Sequence, residues 1–247
     1  MQDITLTSRQ HLKAYSPNEV FFCPEESLFY SQCLDKMVLG DCTSLDTVVE
    51  FGSGDGSPVI NSLLNNSFNG FIQGYELNET ACELGRSRIE KYELGDKYAI
   101  TNRCFFQNCP ADTTYLVANP PYLPAPDDQL YMPSLHGGKD GSIITRRLLG
   151  VGCEKVMLMI SAYSNPIDTI DHANLLGYKV IDFMVAPLKF GYYSCEPKVR
   201  ETIEKLKAAN KAFYSGDVYL LAGVLFKKDC PPDLDISAEF LKVMTAL

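Results

Sequence analysis

The chain has 247 residues, a length that suits one large domain with a sizeable core. Apolar residues make up 46% of the sequence and charged residues 21%, an ordinary composition for a soluble globular protein. The formal net charge of -9 argues against a protein that holds nucleic acid mainly through its phosphates. The apolar stretches are too short to span a bilayer and the N-terminus lacks the apolar core of a signal peptide, so we expect a cytoplasmic protein with no membrane partner.

Strand-like and helix-like segments alternate along the chain. Short apolar runs predict strands at 46–52, 70–76, 103–108, 114–119, 155–163, 178–190 and 218–228. Helices are predicted between them at 57–66, 78–95, 141–152 and 166–177, with Asn78 as the cap of the second. This alternation predicts an α/β fold with a doubly wound, mostly parallel seven-stranded sheet. The last two predicted strands follow each other along the chain, which predicts an antiparallel pair at the edge of that sheet.

Two segments lie outside this pattern. Residues 1–44 predict an N-terminal helical extension, and the charged segment 196–213 predicts a helix inserted before the last strand. No linker or repeat separates them from the catalytic core at 45–230, so the domain prediction is a single domain over 1–247. The inserted helix is a candidate surface for a homodimer or for docking a substrate.

The cysteines do not form a metal-binding or disulfide pattern. There are nine of them, none in a CxxC pair, and the three histidines are not grouped with them. We therefore expect reduced thiols and no bound metal.

A glycine-rich loop follows the first predicted strand in "VVEFGSGDGS". Gly52, Gly54 and Gly56 permit positive φ and a close approach of a ligand to the backbone. In a doubly wound fold, ligands bind in the crevice at this end of the strands. Glu50 precedes the loop, where it can attract a cationic ligand, and Glu76 ends the second strand, where it can bind a ribose diol. The G-x-G-x-G spacing disfavours an NAD-binding dehydrogenase, whose motif is G-x-G-x-x-G.

These residues resemble the class I S-adenosylmethionine-dependent methyltransferases over about residues 45–190. Glu50 with Gly52-Ser53-Gly54-Asp55-Gly56 matches the first motif of that family, and Glu76 matches the second. The resemblance implies S-adenosyl-L-methionine as cofactor, with Glu50 and the glycine loop at its methionine moiety and Glu76 at its ribose. It also implies that "FFQN" approaches the adenine and makes Asn108 a cofactor-binding candidate, where the family often has an acid.

The loop "NPPY" follows the fourth predicted strand, on the same edge as the glycine loop. Its prolines exclude both helix and ladder, so it is a rigid segment. A planar nitrogen, such as a carboxamide, is a poor nucleophile because its lone pair is delocalised. The Asn119 side-chain oxygen and the Pro120 carbonyl can accept its two N–H groups and favour the pyramidal form that attacks. Tyr122 can stack on the target, and we expect Asn119 to contact the cofactor as well.

The four residues resemble the Asn/Asp-Pro-Pro-Tyr/Phe motif of the amino-methyltransferase branch. With "HGGKDGSIITRRLL" at 136–149, the chain looks most like the HemK/PrmC type, which methylates a glutamine side chain in release factors. The stretch "FFCPEESLFY" loosely resembles a segment that this type has ahead of its first strand. The extension at 1–44 is too short to hold the N-terminal helical domain of the bacterial type. The archaeal and eukaryotic type lacks that domain, so the comparison with it stays open.

The resemblance therefore implies a protein substrate, while other functions stay open. A second hypothesis is methylation of the exocyclic amine of adenine in RNA or DNA, which the acidic charge disfavours. A third is a non-catalytic methyltransferase-fold module that binds partners through the helix at 196–213.

Overall fold

The computed structural model describes residues 20–43 and 45–247. The predicted helical extension over 1–44 therefore lies partly outside the described residues. Within them, the extension contains one α-helix, α1 at Pro24–Leu34, which continues as a π-helical turn at Asp35–Leu39. None of the helices in the described part of the chain is long and apolar enough to cross a membrane.

One mixed sheet forms the centre of the molecule. Its strands are β1 Thr47–Phe51, β2 Phe71–Tyr75, β3 Tyr98–Thr101, β4 Tyr115–Ala118, β5 Lys155–Ser161, β6 Tyr178–Lys189, the short β7 Tyr214–Ser215 and β8 Val218–Lys228. They are ordered β3-β2-β1-β4-β5-β8-β6, with β7 paired to β8. The first five strands are parallel, and β8 runs antiparallel between β5 and β6. The predicted mostly parallel sheet with an antiparallel edge is confirmed.

Helices cover both faces of the sheet, as expected for buried parallel strands that are apolar throughout. The remaining helices are α2 Ser57–Asn65, α3 Glu79–Lys91, α4 Phe105–Asn108, α5 Ile143–Leu149, α6 Pro166–Leu175, α7 Pro197–Ala208 and α8 Ser237–Met244. Side chains of α1, α2, α3 and α7 pack into one core cluster, and those of α4, α5, α6 and α8 pack into a second. The sheet is therefore doubly wound.

The strand predicted at 103–108 is wrong. The third strand is Tyr98–Thr101, and the chain then turns at Cys104 into the short helix α4. The side chain of Phe105 is buried against Phe51 and Tyr75, with ring centroids 5.5 and 5.7 Å apart. The aromatic pair at the start of this segment suits a strand locally, but its contacts with the ends of β1 and β2 stabilise a helical turn instead.

Helix α1 packs directly on the backbone of the sheet. A Cβ atom built on Gly223, in β8, lies 2.4 Å from the Cys33 sulfur and 2.9 Å from the Cys33 Cβ. Glycine is thus required at this strand position for α1 to approach so closely. The same helix also contacts α2 and β6.

The inserted helix α7 lies within the predicted segment 196–213. Val199 and Ile203 are fully buried in the first core cluster, so one face of the helix is used within the chain. Its opposite face carries charged side chains, among them the Lys205–Glu201 ion pair. Pairing of two subunits through that face stays a prediction.

Candidate active site

A cavity of about 1010 Å³ lies at the carboxyl ends of β1, β2 and β4. The structure brings most of the predicted site residues together in its lining, namely Glu50, Gly52, Ser53, Gly54, Glu76, Asn119, Pro120 and Tyr122. Gly56 and Asn108 lie outside this lining. The cavity is large enough for a cofactor and a second reactant together.

The glycine loop forms an open cradle on one wall. Gly52 and Gly54 have φ of +67° and +54°, and a Cβ on either would meet no described atom within 4 Å. The N–H groups of Gly52 and Ser53 donate to the carbonyl of Tyr75, at 2.9 and 3.2 Å. These bonds hold the loop against β2 while its outer side faces the cavity.

Gly56 has a structural place rather than a place in the cavity wall. It caps helix α2 with φ of +71°, and a Cβ there would lie 3.0 Å from the Ile100 side chain. Its role is to let the loop turn into α2 over the core.

Glu50 is a buried carboxyl group under the glycine loop. It is 1% exposed, and its two oxygens accept from the hydroxyls of Tyr30 and Tyr98, at 3.2 and 2.6 Å. Burial raises its pKa to about 7, and the hydrogen bonds from the two tyrosines oppose that rise. Among residues 20–43 and 45–247, no Lys, Arg or His forms an ion pair with it. A cationic group in the cavity would supply the missing counter-charge.

Glu76 joins the glycine loop to helix α3. One carboxylate oxygen accepts from the N–H of Gly54 and the other from the N–H of Asn78, both at 2.7 Å. Asn78 in turn caps α3 by accepting from the N–H of Ala81, as predicted. Each oxygen of Glu76 keeps a lone pair that a hydroxyl group in the cavity can use.

Asn108 is turned away from the cavity. Its side-chain amide donates to the carbonyl of Cys104 at 2.7 Å, and its own carbonyl accepts from the hydroxyl of Tyr75 at 2.9 Å. It therefore closes the short helix α4. The cavity wall nearby is made by Phe105 and Phe106, with ring centroids 5.4 Å apart, so "FFQN" contributes its aromatic half to the cavity and not its amides.

The NPPY loop presents an unpaired acceptor. The Oδ1 atom of Asn119 is buried and has no hydrogen-bond partner in the described part of the chain. The hydroxyl of Tyr122 donates to the carboxyl group of Glu26, and the side chain of Asn119 lies near enough to that carboxyl group to favour its charged form. The ring of Tyr122 packs edge-on against Tyr163, with centroids 5.8 Å apart.

The Gly-Gly-x-Asp-Gly segment packs against the back of the NPPY loop. A Cβ on Gly137 would lie 2.6 Å from the Tyr122 Cα, and a Cβ on Gly141 would lie 2.5 Å from the Tyr122 carbonyl oxygen. That oxygen accepts from the hydroxyl of Ser164 at 2.7 Å. Asp140, between the glycines, accepts from Arg146 and so fixes the segment to helix α5. The motif therefore supports the loop.

Sequence reasoning missed Glu26 and Tyr30 of helix α1, which line the cavity. Their signal was the pair of acids beside aromatic residues in "FFCPEESLFY". The sequence left the aromatic cluster "FGYYSCEP" at 190–197 open between core packing and a substrate wall, and its residues Phe190, Tyr192 and Tyr193 line the cavity. Phe190 stacks on Tyr163 with centroids 5.5 Å apart and ring planes at 26°. Contacts of this kind join segments far apart in sequence, so no local pattern indicates them.

Comparison with known proteins identifies the fold. No protein family model matches the chain, and no curated protein does. Among solved structures, a putative RNA methyltransferase from Pyrococcus horikoshii has a TM-score of 0.57 and 11% identity, over 85% of this chain and 87% of that one. The chain has the class I methyltransferase fold.

Two further solved structures are similar to this chain in fold. A putative sarcosine dimethylglycine methyltransferase from Galdieria sulphuraria has a TM-score of 0.54 and 11% identity, over 91% of this chain and 99% of that one. A SAM-dependent methyltransferase from Geobacter sulfurreducens, in complex with S-adenosyl-L-homocysteine, has a TM-score of 0.50 and 12% identity, over 92% and 100%. At such identities the likeness concerns the fold.

The cavity of this class I fold fits the cofactor that such a fold implies. It offers an open glycine cradle, the buried carboxyl group of Glu50, which has no ion pair within residues 20–43 and 45–247, and lone pairs on Glu76 that a ligand can use. The unpaired oxygen of Asn119 lies in the same cavity and suits a hydrogen-bond donor. These features match an amine-bearing nucleoside beside an N–H group.

Proposed function

We propose that this protein is an S-adenosylmethionine-dependent N-methyltransferase that acts on a planar nitrogen, with the side-chain amide of a protein glutamine as the first candidate. One observation carries the proposal, the buried and unpaired Oδ1 of Asn119. A buried acceptor without a partner costs about 1–3 kcal/mol, and an N–H group of a ligand in the cavity would offset that cost.

The cofactor would be held by the residues at the ends of β1 and β2. The carboxylate of Glu50 would pair with its ammonium group, and the cradle of Gly52 and Gly54 would surround its methionine moiety. Glu76 would accept from its ribose hydroxyls, and Phe105 with Phe106 would flank its adenine. When bound, S-adenosylmethionine supplies an electrophilic methyl group.

The NPPY loop acts on the acceptor nitrogen. Asn119 Oδ1 and the Pro120 carbonyl accept the two N–H groups, which favours the pyramidal nitrogen with a localised lone pair. Two consecutive prolines limit the motion of the loop, so both acceptors keep their direction during the reaction. Tyr122 lines the cavity and packs against Tyr163, which keeps water from the nitrogen.

Two features support a protein glutamine as substrate. The Gly-Gly-x-Asp-Gly segment that supports the NPPY loop is the one by which the chain resembles the HemK/PrmC type. The net charge of -9 also disfavours a polyanionic substrate. A Gln side chain is slender and brings both N–H groups of its amide to the two acceptors.

A second candidate substrate is the exocyclic amine of a nucleobase, and the aromatic wall favours it. Tyr192 is 63% exposed beside the cavity, and its ring lies 5.4 Å from that of Tyr131 at an interplanar angle of 32°. Exposed aromatic side chains stack on bases, at about 1–3 kcal/mol for each base.

The test combines one substitution with a panel of acceptors. Asn119→Ala removes the acceptor, and we expect transfer of labelled methyl to fall by about 10²–10³-fold, the usual loss when one group that stabilises a transition state is removed. Cofactor affinity in a calorimetric titration should stay within about threefold, because the groups proposed for the methionine moiety and ribose are untouched. Asn65→Ala, on the exposed end of α2, is the control and should keep full activity.

The acceptor panel contains release-factor fragments with a glutamine, RNA and single-stranded DNA. Methylation of the glutamine peptide alone supports the first candidate, and methylation of a nucleic acid alone supports the second. Unchanged transfer by Asn119→Ala contradicts the assigned role of this residue. A titration without heat or thermal shift contradicts the cofactor.

A further inference from the structure

Glu26 carries a carboxyl group that is buried beneath the NPPY loop. It lies in the first turn of α1 and is 4% exposed. The hydroxyl of Tyr122 donates to it, and the side chain of Asn119 lies near enough to favour its charged form. Within the described residues it has no ion pair with Lys, Arg or His. A buried carboxyl group of this kind is costly, so its position calls for a reason.

The reason lies in the two ends of the Asn119 amide. A carboxylate only accepts hydrogen bonds, so it binds the NH₂ end of the amide and leaves the oxygen end for the cavity. The buried Oδ1 atom without a partner has this orientation. A neutral carboxyl group has a proton to donate, and it would attract the oxygen end instead.

We propose that Glu26 is a positioning residue for methyl transfer, whose carboxylate holds the NH₂ group of Asn119 so that Oδ1 faces the acceptor nitrogen. The inference rests on the proposed function and deepens it, because it names the group that fixes the orientation of its main acceptor. Glu26 itself does not touch the reacting atoms.

The ionisation of Glu26 gives this role a measurable pH dependence. Burial raises its pKa to about 7, and the nearby polar groups of Asn119 and Cys23 oppose that rise. Burial also raises the pKa of Cys23 to about 12 and those of Tyr163 and Tyr219 well above their usual range. These neighbours therefore stay neutral near pH 7. Tyr122 faces Glu26 as a hydroxyl donor, while Glu25 on the same turn is exposed.

The carboxylate is the active form of Glu26 in this proposal. Above a pH of about 7 the carboxylate holds Asn119 in the working orientation, and below it the protonated group releases the amide. The kcat at saturating cofactor and acceptor should therefore rise with pH, with a midpoint near 7. Glu50 also has a pKa of about 7, but saturation with cofactor removes its effect from kcat because it is proposed to act on cofactor binding.

Three variants separate positioning from a merely structural role. Glu26→Gln should lower kcat by about 10–100-fold, the size expected when a reacting group is misplaced by a fraction of an ångström, and should make kcat independent of pH between 6 and 8. Its cofactor affinity should stay within about threefold. Tyr122→Phe removes a donor to the carboxylate, so the midpoint should move to higher pH. Glu83→Gln, on the exposed side of α3, should keep the wild-type profile.

Nuclear magnetic resonance tests the same contact without any methyl acceptor. In protein labelled with ¹⁵N-asparagine, the side-chain NH₂ signal that Asn119→Ala removes should shift with pH around 7 in wild-type protein. The shift should be absent in Glu26→Gln and should move to higher pH in Tyr122→Phe. If no acceptor is methylated, the proposed function fails while this titration still decides the contact.

Two results would overturn the inference. One is an Asn119 signal that does not respond to pH in the folded wild-type protein. The other is a Glu26→Gln enzyme that keeps the wild-type dependence of kcat on pH. If Glu26→Gln does not fold, the Tyr122→Phe midpoint decides, and an unchanged midpoint counts against the role.

Discussion

Glu26 and Glu50 are two buried carboxyl groups in one cavity, and neither has a cationic partner among the described residues. Burial raises the pKa of each to about 7. Their surroundings differ, because Glu50 accepts from two tyrosines under the glycine loop whereas Glu26 binds side chains of the NPPY loop. The same physical perturbation thus fits the two tasks proposed for these residues, attraction of a cation by Glu50 and orientation of an amide by Glu26.

The raised pKa of Glu50 predicts a stability that falls as pH rises. The group favours the folded state fully below its unfolded pKa of 4.5, and this contribution is lost as the pH rises through the folded value of about 7. The loss is about 3 kcal/mol at 1.36 kcal/mol per pKa unit. Urea unfolding of wild type and Glu50→Gln at pH 4.5 and 7.5 should show the wild type losing about that much more.

Glu83→Gln is the matched control and should follow the wild type at both pH values, because its carboxyl group is exposed. Equal pH dependence in wild type and Glu50→Gln would mean that Glu50 is ionised in the folded protein at pH 5.

Residues with a local motif could be predicted from the sequence, and residues defined by tertiary contacts could not. The glycine loop, Glu50, Glu76 and the NPPY loop come together in the cavity because each lies at the carboxyl end of a strand of the same sheet. Asn108 was predicted to follow a strand in the same way, but it ends a helical turn, and its hydrogen bonds with Cys104 and Tyr75 hold it outside the lining. The proposed role of Glu26 depends on the packing of helix α1 beneath the NPPY loop, and no pattern of strands in the sequence predicts that contact.

At the scale of elements, the NPPY loop depends on the segment behind it. Gly137 and Gly141 permit backbone contacts with Tyr122 that a side chain would prevent, and Ser164 fixes the carbonyl of Tyr122. The loop is thus held from behind by glycines and at its side by α1. The sequence indicated the glycine segment as a motif, while its function as a support follows only from these distances.

Gly137→Ala should displace the NPPY loop, because the new methyl group would lie 2.6 Å from the Tyr122 Cα. A shift of about 1 Å in a reacting group can lower the rate by about 100-fold, so kcat should fall by that order. Cofactor affinity should change by less than about threefold, since the glycine loop is untouched.

Gly95→Ala serves as the control, because a Cβ at Gly95 meets nothing within 4 Å. Steady-state kinetics and calorimetry on both variants check the prediction. Full activity of Gly137→Ala would show that the loop adjusts without moving its acceptors.

The third strand shows where local pattern fails at this scale. Phe105 and Phe106 have strong β propensity, yet Phe105 packs against the ends of β1 and β2 as part of a helical turn. The true strand, Tyr98–Thr101, is only four residues long and gains its place by pairing with β2. Pairing with β2 determines which segment forms the third strand, and the sequence of one segment alone does not indicate its pairing.

At the scale of the whole molecule, the cavity lies between helix α1 and the carboxyl ends of the parallel strands. Its lining takes residues from α1, from β1 and β2, from the NPPY loop and from the segment after β6. A ligand there contacts several elements at once, so its binding energy stabilises the complete fold rather than one segment.

We therefore expect a marked thermal shift with cofactor. S-adenosylhomocysteine at 100 times its Kd should stabilise the folded state by about 2.7 kcal/mol. For a chain of this size that corresponds to a rise in Tm of roughly 5–10 °C. Differential scanning fluorimetry checks the value, and NAD is the comparison ligand, which should give no shift because the glycine spacing does not suit it. A shift with NAD alone would favour a dehydrogenase.

The packing of α1 on β8 affects the order in which the parts of the cavity can form during translation. Cys33 leaves the ribosome early, whereas Gly223, on which it packs, is synthesised nearly two hundred residues later. A nascent chain that lacks β8 offers α1 its contacts with α2 but not its packing on Gly223, so we expect the position of Glu26 beneath the NPPY loop to be fixed late. The glycine loop and its neighbouring strands can assemble much earlier. We therefore expect the glycine loop to assemble earlier during translation than the contact between Glu26 and the NPPY loop, which is completed when the last strand is in place.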